Sequence, residues 1–381
     1  PVHFIPFTGG LFVLGAWLLV YYRAHVSEHL VEKVGEDNEK NEINIGLVVP
    51  ILNTLAFLLG AVALALPPWV AVTMTVGAVL LLTGRKQLHG LAQRLEIKEI
   101  VTAGEFLILT GVVLPLLPNH PVTTLTTITP RQVWLALVVV CTFSYVSYLA
   151  QRYWAAASGG LWMAALGGLY SSTATTVVLA RQAKADPALR RQAQAGITLA
   201  TAIMYLRILA VVAIFNLVLA RHLALPLAGL SLAAFVICAW QYRYLNSPAD
   251  DAKAAMPVPI SKNPLELGPA LVFAILFIVT SVVSSRATAA FGATGIYSLA
   301  AIVGISDIDP FVLNLAQGGT TSVTMTALTA AILIAASSNN ILKAIYAASF
   351  AGGKATAGSA VALILLAVAG LAAALTIAKI F

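Results

Sequence analysis

Apolar residues fall into twelve runs along the chain, at about 4–22, 43–66, 69–83, 100–117, 133–148, 161–179, 197–220, 223–240, 267–283, 290–305, 321–350 and 359–380. Most approach the roughly 20 residues that a helix needs to cross a hydrocarbon core of about 30 Å. None shows the alternation of apolar and polar residues, in strands of about 10, that builds an outer-membrane barrel. The pattern predicts an all-α, polytopic integral membrane protein. Polar stretches at 23–41, 84–98, 181–191 and 246–263 separate the runs.

Composition agrees with that reading. Of 381 residues 60% are hydrophobic and only 10% charged, against roughly 25% charged in soluble domains. The net charge of +7 is spread through loops, so it reads as membrane topology and not as a nucleic-acid surface. Cys141 and Cys238 sit inside apolar runs without metal-ligand or disulfide spacing. The six histidines fall at helix ends or in loops, as interfacial side chains do. Beginning at Pro1 and entering an apolar run almost at once, the chain reads as one whose natural start lies upstream.

Two stretches resemble each other at an offset of 134 to 136 residues. Thr129-Pro130 and Asn263-Pro264 open them, Gly160 and Gly295 follow, and Gly168 before SSTATT answers Gly304 before SDIDPF. Arg207 and Lys343 close comparable blocks. The division this implies is an N-terminal part at 1–128, a first repeat at 129–247, a linker at 248–262 and a second repeat at 263–381. Charge chooses the topology. If all twelve runs cross, the cations outside the membrane show no bias. If 161–179 and 290–305 enter and return, sixteen Lys and Arg lie inside and four outside, namely Arg131, Arg221, Arg286 and Lys379. The second arrangement obeys the positive-inside rule. It gives about ten spanning helices plus two broken or re-entrant segments, with an odd number of crossings per repeat and therefore an inverted repeat.

Glu105, Arg207, Asp307, Asp309 and Lys343 lie in or beside apolar runs. An Asp, Lys or Arg at the bilayer centre costs roughly 2.5 to 3.5 kcal/mol on insertion scales, so these residues neutralise one another or bind something. Asp309 before Pro310 reads as an N-cap and a first helical position. Ser171, Ser172 and Thr173 offer the same capping chemistry in the first repeat. Two half-helix N-termini are thereby expected to face each other near the midplane. Asp307 and Asp309, supported by Ser171, Ser172, Thr173, Asn339 and Asn340, supply the oxygen ligands that a hard cation such as Mg²⁺ takes. Arg207 and Lys343 then compensate charge or compete with the cation. The alternatives are an internal salt-bridge set of the two aspartates with Arg207 and Lys343, or an anionic ligand drawn by the helix N-termini and the two bases. Glu105 is the candidate for proton coupling. No enzyme motif is present: no HExxH, GxSxG or phosphate loop appears, so no catalysis and no required cofactor are expected.

The segments LGGLYSSTATT (166–176), MYLR (204–207), NPLELGPAL (263–271), GISDIDP (304–310) and SNNILK (338–343) resemble the uncharacterised C-terminal domain, domain of unknown function 4010, of bacterial MgtC/SapB-type membrane proteins. That resemblance implies the bacterial inner membrane and an association with magnesium homeostasis. Two departures stand out: the acidic GLERE-like motif of the MgtC-type helices is missing, and GLVVP (46–50) replaces the common GLTTE. The expectation is therefore a cation transporter or channel-like protein, with Mg²⁺ favoured by the resemblance. A non-transporting regulator that docks a partner helix or forms a homo-oligomer through the small-residue faces at 355–358 and 367–374 is the alternative.

Overall fold

The computed structural model describes residues 97–123, 126–153, 160–244, 267–319, 323–352 and 354–380, together with scattered helical positions between 10 and 79. The predicted runs at 4–22, 43–66 and 69–83 lie largely outside the described residues. Chain contacts separate a unit Pro1–Ile100 from a unit Val101–Phe381. The helices described from residue 97 onward are α1 (Ile97–Ile108, which enters the second unit at Val101 and is continued by a π-helical turn at Leu109–Val113), α2 (Pro130–Tyr153), α3 (Gly160–Ala185), α4 (Arg190–Phe215), α5 (Leu217–Tyr244), α6 (Leu267–Val303), α7 (Asp309–Ala316), α8 (Met325–Ala351) and α9 (Ala357–Ile380). All regular structure among the described residues is helical. Seven helices, α2 to α6 with α8 and α9, are long and apolar enough to cross a membrane, so the chain is a multi-pass membrane protein.

Local chemistry sets the helix starts. Thr129 and Gln132 form a capping box around Pro130: the Thr129 hydroxyl accepts from the Gln132 N–H at 3.2 Å, and the Gln132 side chain accepts from the Thr129 N–H at 2.8 Å. Asn216 accepts from the Leu219 N–H (3.0 Å) to open α5, and Thr324 from the Ala327 N–H (3.3 Å) to open α8.

Two of the long helices turn back on themselves. In α3, Ser171 has extended angles (φ −160°, ψ 106°), and a β-carbon placed on Gly167 would lie 2.6 Å from the Thr175 hydroxyl oxygen. Eight residues of straight helix would separate those positions by about 12 Å. In α6 the turn is at Gly292 (φ +58°, ψ −137°), and it brings Gly295 against the Ala287 carbonyl. The predicted runs 267–283 and 290–305 are thus parted at Gly292, later than the polar stretch between them suggested. The Ser-Ser-Arg-Ala-Thr stretch continues the helix because Thr288 returns its hydroxyl to the Ser284 carbonyl (2.7 Å), which hides the polar group inside the helix.

Glycines set the closest helix crossings. A β-carbon on Gly168 would sit 2.5 Å from the Ala200 Cα, and one on Gly304 would sit 2.5 Å from the Ala335 carbonyl oxygen. The main core joins α4, α5, α7, α8, α9 and the end of α6. Large apolar side chains such as Leu225, Leu232 and Phe291 point outward, while Arg207, Asn339, Asn340 and Lys343 are buried. Lipid-facing apolar residues around a polar interior are the expected inversion for a membrane bundle.

Candidate functional site

A cavity of about 460 Å³ lies where the break in α3 meets the break between α6 and α7. Ser171, Ser172 and Thr173 come from the first break and Ser306, Asp307 and Asp309 from the second. Arg207 and Met204 of α4 and Asn339 of α8 close the wall between them, and Phe273 of α6 is among its apolar lining.

Each break is held by specific groups. Ser171 accepts from the Ala174 N–H (3.3 Å) and caps the second half of α3. At the second break the capping differs from the expectation. Asp307, not Asp309, turns its carboxylate onto the backbone, accepting from the Asp309 N–H at 3.1 Å, and α7 carries no side-chain cap at Ile308. Asp309 is one residue inside the helix, next to Pro310, and its carboxylate is free to pair with Arg207. Ser338 and Asn339 donate to the Ala301 (2.6 Å) and Gly304 (3.1 Å) carbonyls, which the end of α6 leaves without helical partners.

Arg207 ties the two breaks together. One terminal nitrogen donates to the Tyr170 carbonyl (3.3 Å), at the end of the first half of α3, and the other is ion-paired with Asp309 at the start of α7. A cation at a helix C-terminus and a carboxylate at a helix N-terminus both suit the helix dipoles. Lys343 makes no ion pair among the described residues. Its ammonium nitrogen is fully buried, 3.4 Å from the Ser172 hydroxyl, 3.3 Å from the Thr201 hydroxyl and 3.1 Å from the Met204 sulfur. The four-charge salt-bridge set therefore reduces to one pair, Arg207 with Asp309.

Of the residues singled out from sequence, Ser171, Ser172, Thr173, Arg207, Asp307, Asp309 and Asn339 share the cavity wall. Asn340 instead donates to the Tyr205 hydroxyl (2.5 Å) behind the wall. Glu105 is exposed on α1 and is not part of the wall. Sequence reading missed the Tyr170 carbonyl and the Met204 sulfur. The carbonyl is a backbone group that only the break in α3 frees, and a methionine in an apolar run reads as ordinary packing. Among the described residues no cluster of three or more His, Cys, Asp and Glu side chains exists that could hold a metal. The wall offers one carboxylate not engaged in an ion pair, on Asp307, with hydroxyl and amide oxygens nearby.

The family described as Domain of unknown function (DUF4010) matches residues 138–351, more than half of the chain and all of the cavity wall from Val140 to Asn339. The chain belongs to the DUF4010 family. An uncharacterized protein of Aquifex aeolicus (strain VF5) is 38% identical to this DUF4010 chain over 96 residues. The match covers 24% of this chain and 41% of that protein, so it spans less than half of the relative's length. No solved structure matches the chain.

Proposed function

We propose that this DUF4010 protein is a carrier for a small cation, with Asp307 as the principal ligand. The observation that carries the reading is that two interrupted membrane helices open onto one polar cavity, in which Asp307 has a carboxylate oxygen not taken by the backbone or by a base. Interrupted helices meeting at a central site are the binding architecture of many secondary transporters. Thr173, Ser306 and Asn339 are the supporting oxygen donors. Asp309 is charge-balanced by Arg207, Ser172 faces the Lys343 ammonium and Asn340 is bonded to Tyr205, so these three stand outside the proposed ligand set. Mg²⁺ is the favoured ion through the resemblance to MgtC/SapB-type proteins, and its habit of keeping several waters suits a roomy site with one carboxylate. The break at Ser171 and its counterpart at 304–308 support two re-entrant elements; oppositely oriented repeats and about ten spanning helices in the full chain are the reading that the charge distribution favours, and a bacterial inner membrane is what the family resemblance implies.

Proteoliposomes containing the full chain test the reading with Mg²⁺, Ca²⁺, Mn²⁺ and Na⁺. Flux of at least one cation that falls tenfold or more in Asp307→Asn is the expected result. Native protein that neither binds nor moves any of the four overturns it, and selective movement of an anion would transfer the site to Arg207 and the two helix N-termini.

A further inference from the structure

The two repeats place their intramembrane bases in equivalent positions, but with unequal partners. Arg207 and Lys343 are 136 residues apart, the same spacing that relates Gly168 to Gly304. Each base reaches the break of the other repeat: Arg207 reaches Asp309 in the second, and Lys343 reaches Ser172 in the first. Thr173 is the residue 136 positions before Asp309, with Ser172 beside it. The carboxylate that neutralises Arg207 therefore has only hydroxyls as its counterpart at Lys343.

Among the described residues, no helix that packs on α8 supplies the missing charge. α8 packs on α3, α5, α6 and α9, and its side chains also reach α4. None of these six helices contains an Asp or Glu. From α4 the ionisable neighbours are Tyr205 and Arg207, the latter already paired. The remaining charged or titratable side chains of α3, α5, α6 and α9 are bases, phenols and the thiol of Cys238, with Arg181, Lys184, Arg221, His222, Arg243 and Arg286 among the bases. A lone ammonium in such a place is costly unless it sheds its charge or meets water. Water is one side chain away, because Ser172 and Met204, two of the three groups touching the nitrogen, are themselves cavity wall.

We propose that Lys343 is the group on which this carrier loads and unloads a proton. With the cavity free of cation and wet, the amine takes a proton from cavity water and the ammonium supplies the site's balancing charge. When a cation settles at Asp307, the ammonium returns that proton to water and remains as a neutral amine bonded to the hydroxyls of Ser172 and Thr201. No electrons move: the proton leaves to cavity water as the cation enters, so one of the charges the cation brings into the cavity is offset. The assignment takes from Glu105 the coupling role expected from sequence. It rests on the proposed cation site.

The test compares the native chain with Lys343→Met, Lys343→Arg and Ser172→Asp in detergent. Arginine stays charged across the range, and an aspartate at 172 would hold Lys343 charged by restoring the pairing that Arg207 has. Without any cation, proton uptake is titrated between about pH 5.5 and 9. The native chain should exchange about one proton more per molecule than Lys343→Arg or Ser172→Asp across that interval. A difference that stays constant overturns the proposal, and it does so whether or not the carrier reading holds. Next, Mg²⁺ is added in weak buffer with a pH-sensitive dye. Proton release by the native chain, lost in Lys343→Met while Mg²⁺ binding persists, supports the coupling. Mg²⁺ binding by the native chain without proton release overturns it. If the native chain binds no cation, the carrier reading fails by itself, and the cation-free titration alone decides for or against Lys343. Should Ser172→Asp fail to fold, Lys343→Arg carries the comparison.

Discussion

Arg207 shows what one buried charge does in this molecule. It is 7% exposed, its partner Asp309 is 20% exposed at the cavity edge, and it also holds the Tyr170 carbonyl. Removing one member of a buried pair strands the other, at a cost of about 3–5 kcal/mol for fully buried groups. Because Asp309 borders the cavity, Arg207→Ala should fall near the lower end, about 3 kcal/mol. Replacing both partners by apolar residues of similar size leaves no stranded charge. The double change Arg207→Met with Asp309→Leu is therefore expected to melt well above Arg207→Ala, and thermal unfolding in detergent measures the difference. A double variant as unstable as the single one would mean that the Tyr170 contact, and not charge pairing, is what Arg207 provides. Asn340 works on a smaller scale: its amide donates to Tyr205 while its carbonyl oxygen is buried without a hydrogen-bond partner among the described residues.

At the scale of elements, the glycines separate by what stands in front of them. A methyl group on Gly168 or Gly304 would press on the backbone of α4 or α8, respectively, and backbone cannot swing aside as a side chain can. Gly168→Ala and Gly304→Ala are expected to push α3 from α4 and α6 from α8, lowering the melting temperature and the yield of folded protein. Gly229 on α5 has nothing within 4 Å of its β-carbon position. Gly229→Ala should leave the melting temperature unchanged or slightly higher, since alanine is the better helix former by up to about 1 kcal/mol. Equal effects at all three would show that helix propensity, and not close approach, governs these positions. The two sensitive glycines stood out in the sequence as glycines before polar motifs, 136 residues apart, and the helix start at Asp309-Pro310 was legible from proline chemistry. The fold-back at Gly292 was not. Six residues earlier the chain carries Arg286 among serines and alanines, which resembles a loop, while the residue that turns the chain lies inside an apolar stretch and differs from its neighbours only in lacking a side chain. The exchange of roles between Asp307 and Asp309 was equally hidden, because both are good capping residues and only the position of Arg207 decides between them.

At the scale of the whole molecule, orientation follows from how α3 and the α6–α7 connection reverse. The close approach of Gly167 to Thr175 returns the end of α3 toward the side from which it came. If the second repeat does the same from the opposite face, Ala185 after the first break and Met325 after the second lie on opposite sides of the membrane. Both are exposed, so single cysteines there, in a chain lacking Cys141 and Cys238, report their side to an impermeant thiol reagent in intact and opened cells. The expected outcome is labelling of Met325→Cys in intact cells and of Ala185→Cys only after opening. The distribution of cations argues the same way, since 181–191 carries four bases and cytoplasmic loops gather Lys and Arg. Labelling of both positions from one side would make the repeats parallel, and the cavity would then be entered by two helices from the same face. That result would remove the symmetry under which Arg207 and Lys343 exchange breaks, while leaving the distances around Lys343 as they are. The proton-loading role of the lysine and the inverted topology are in this way separable, and each stands or falls on its own measurement.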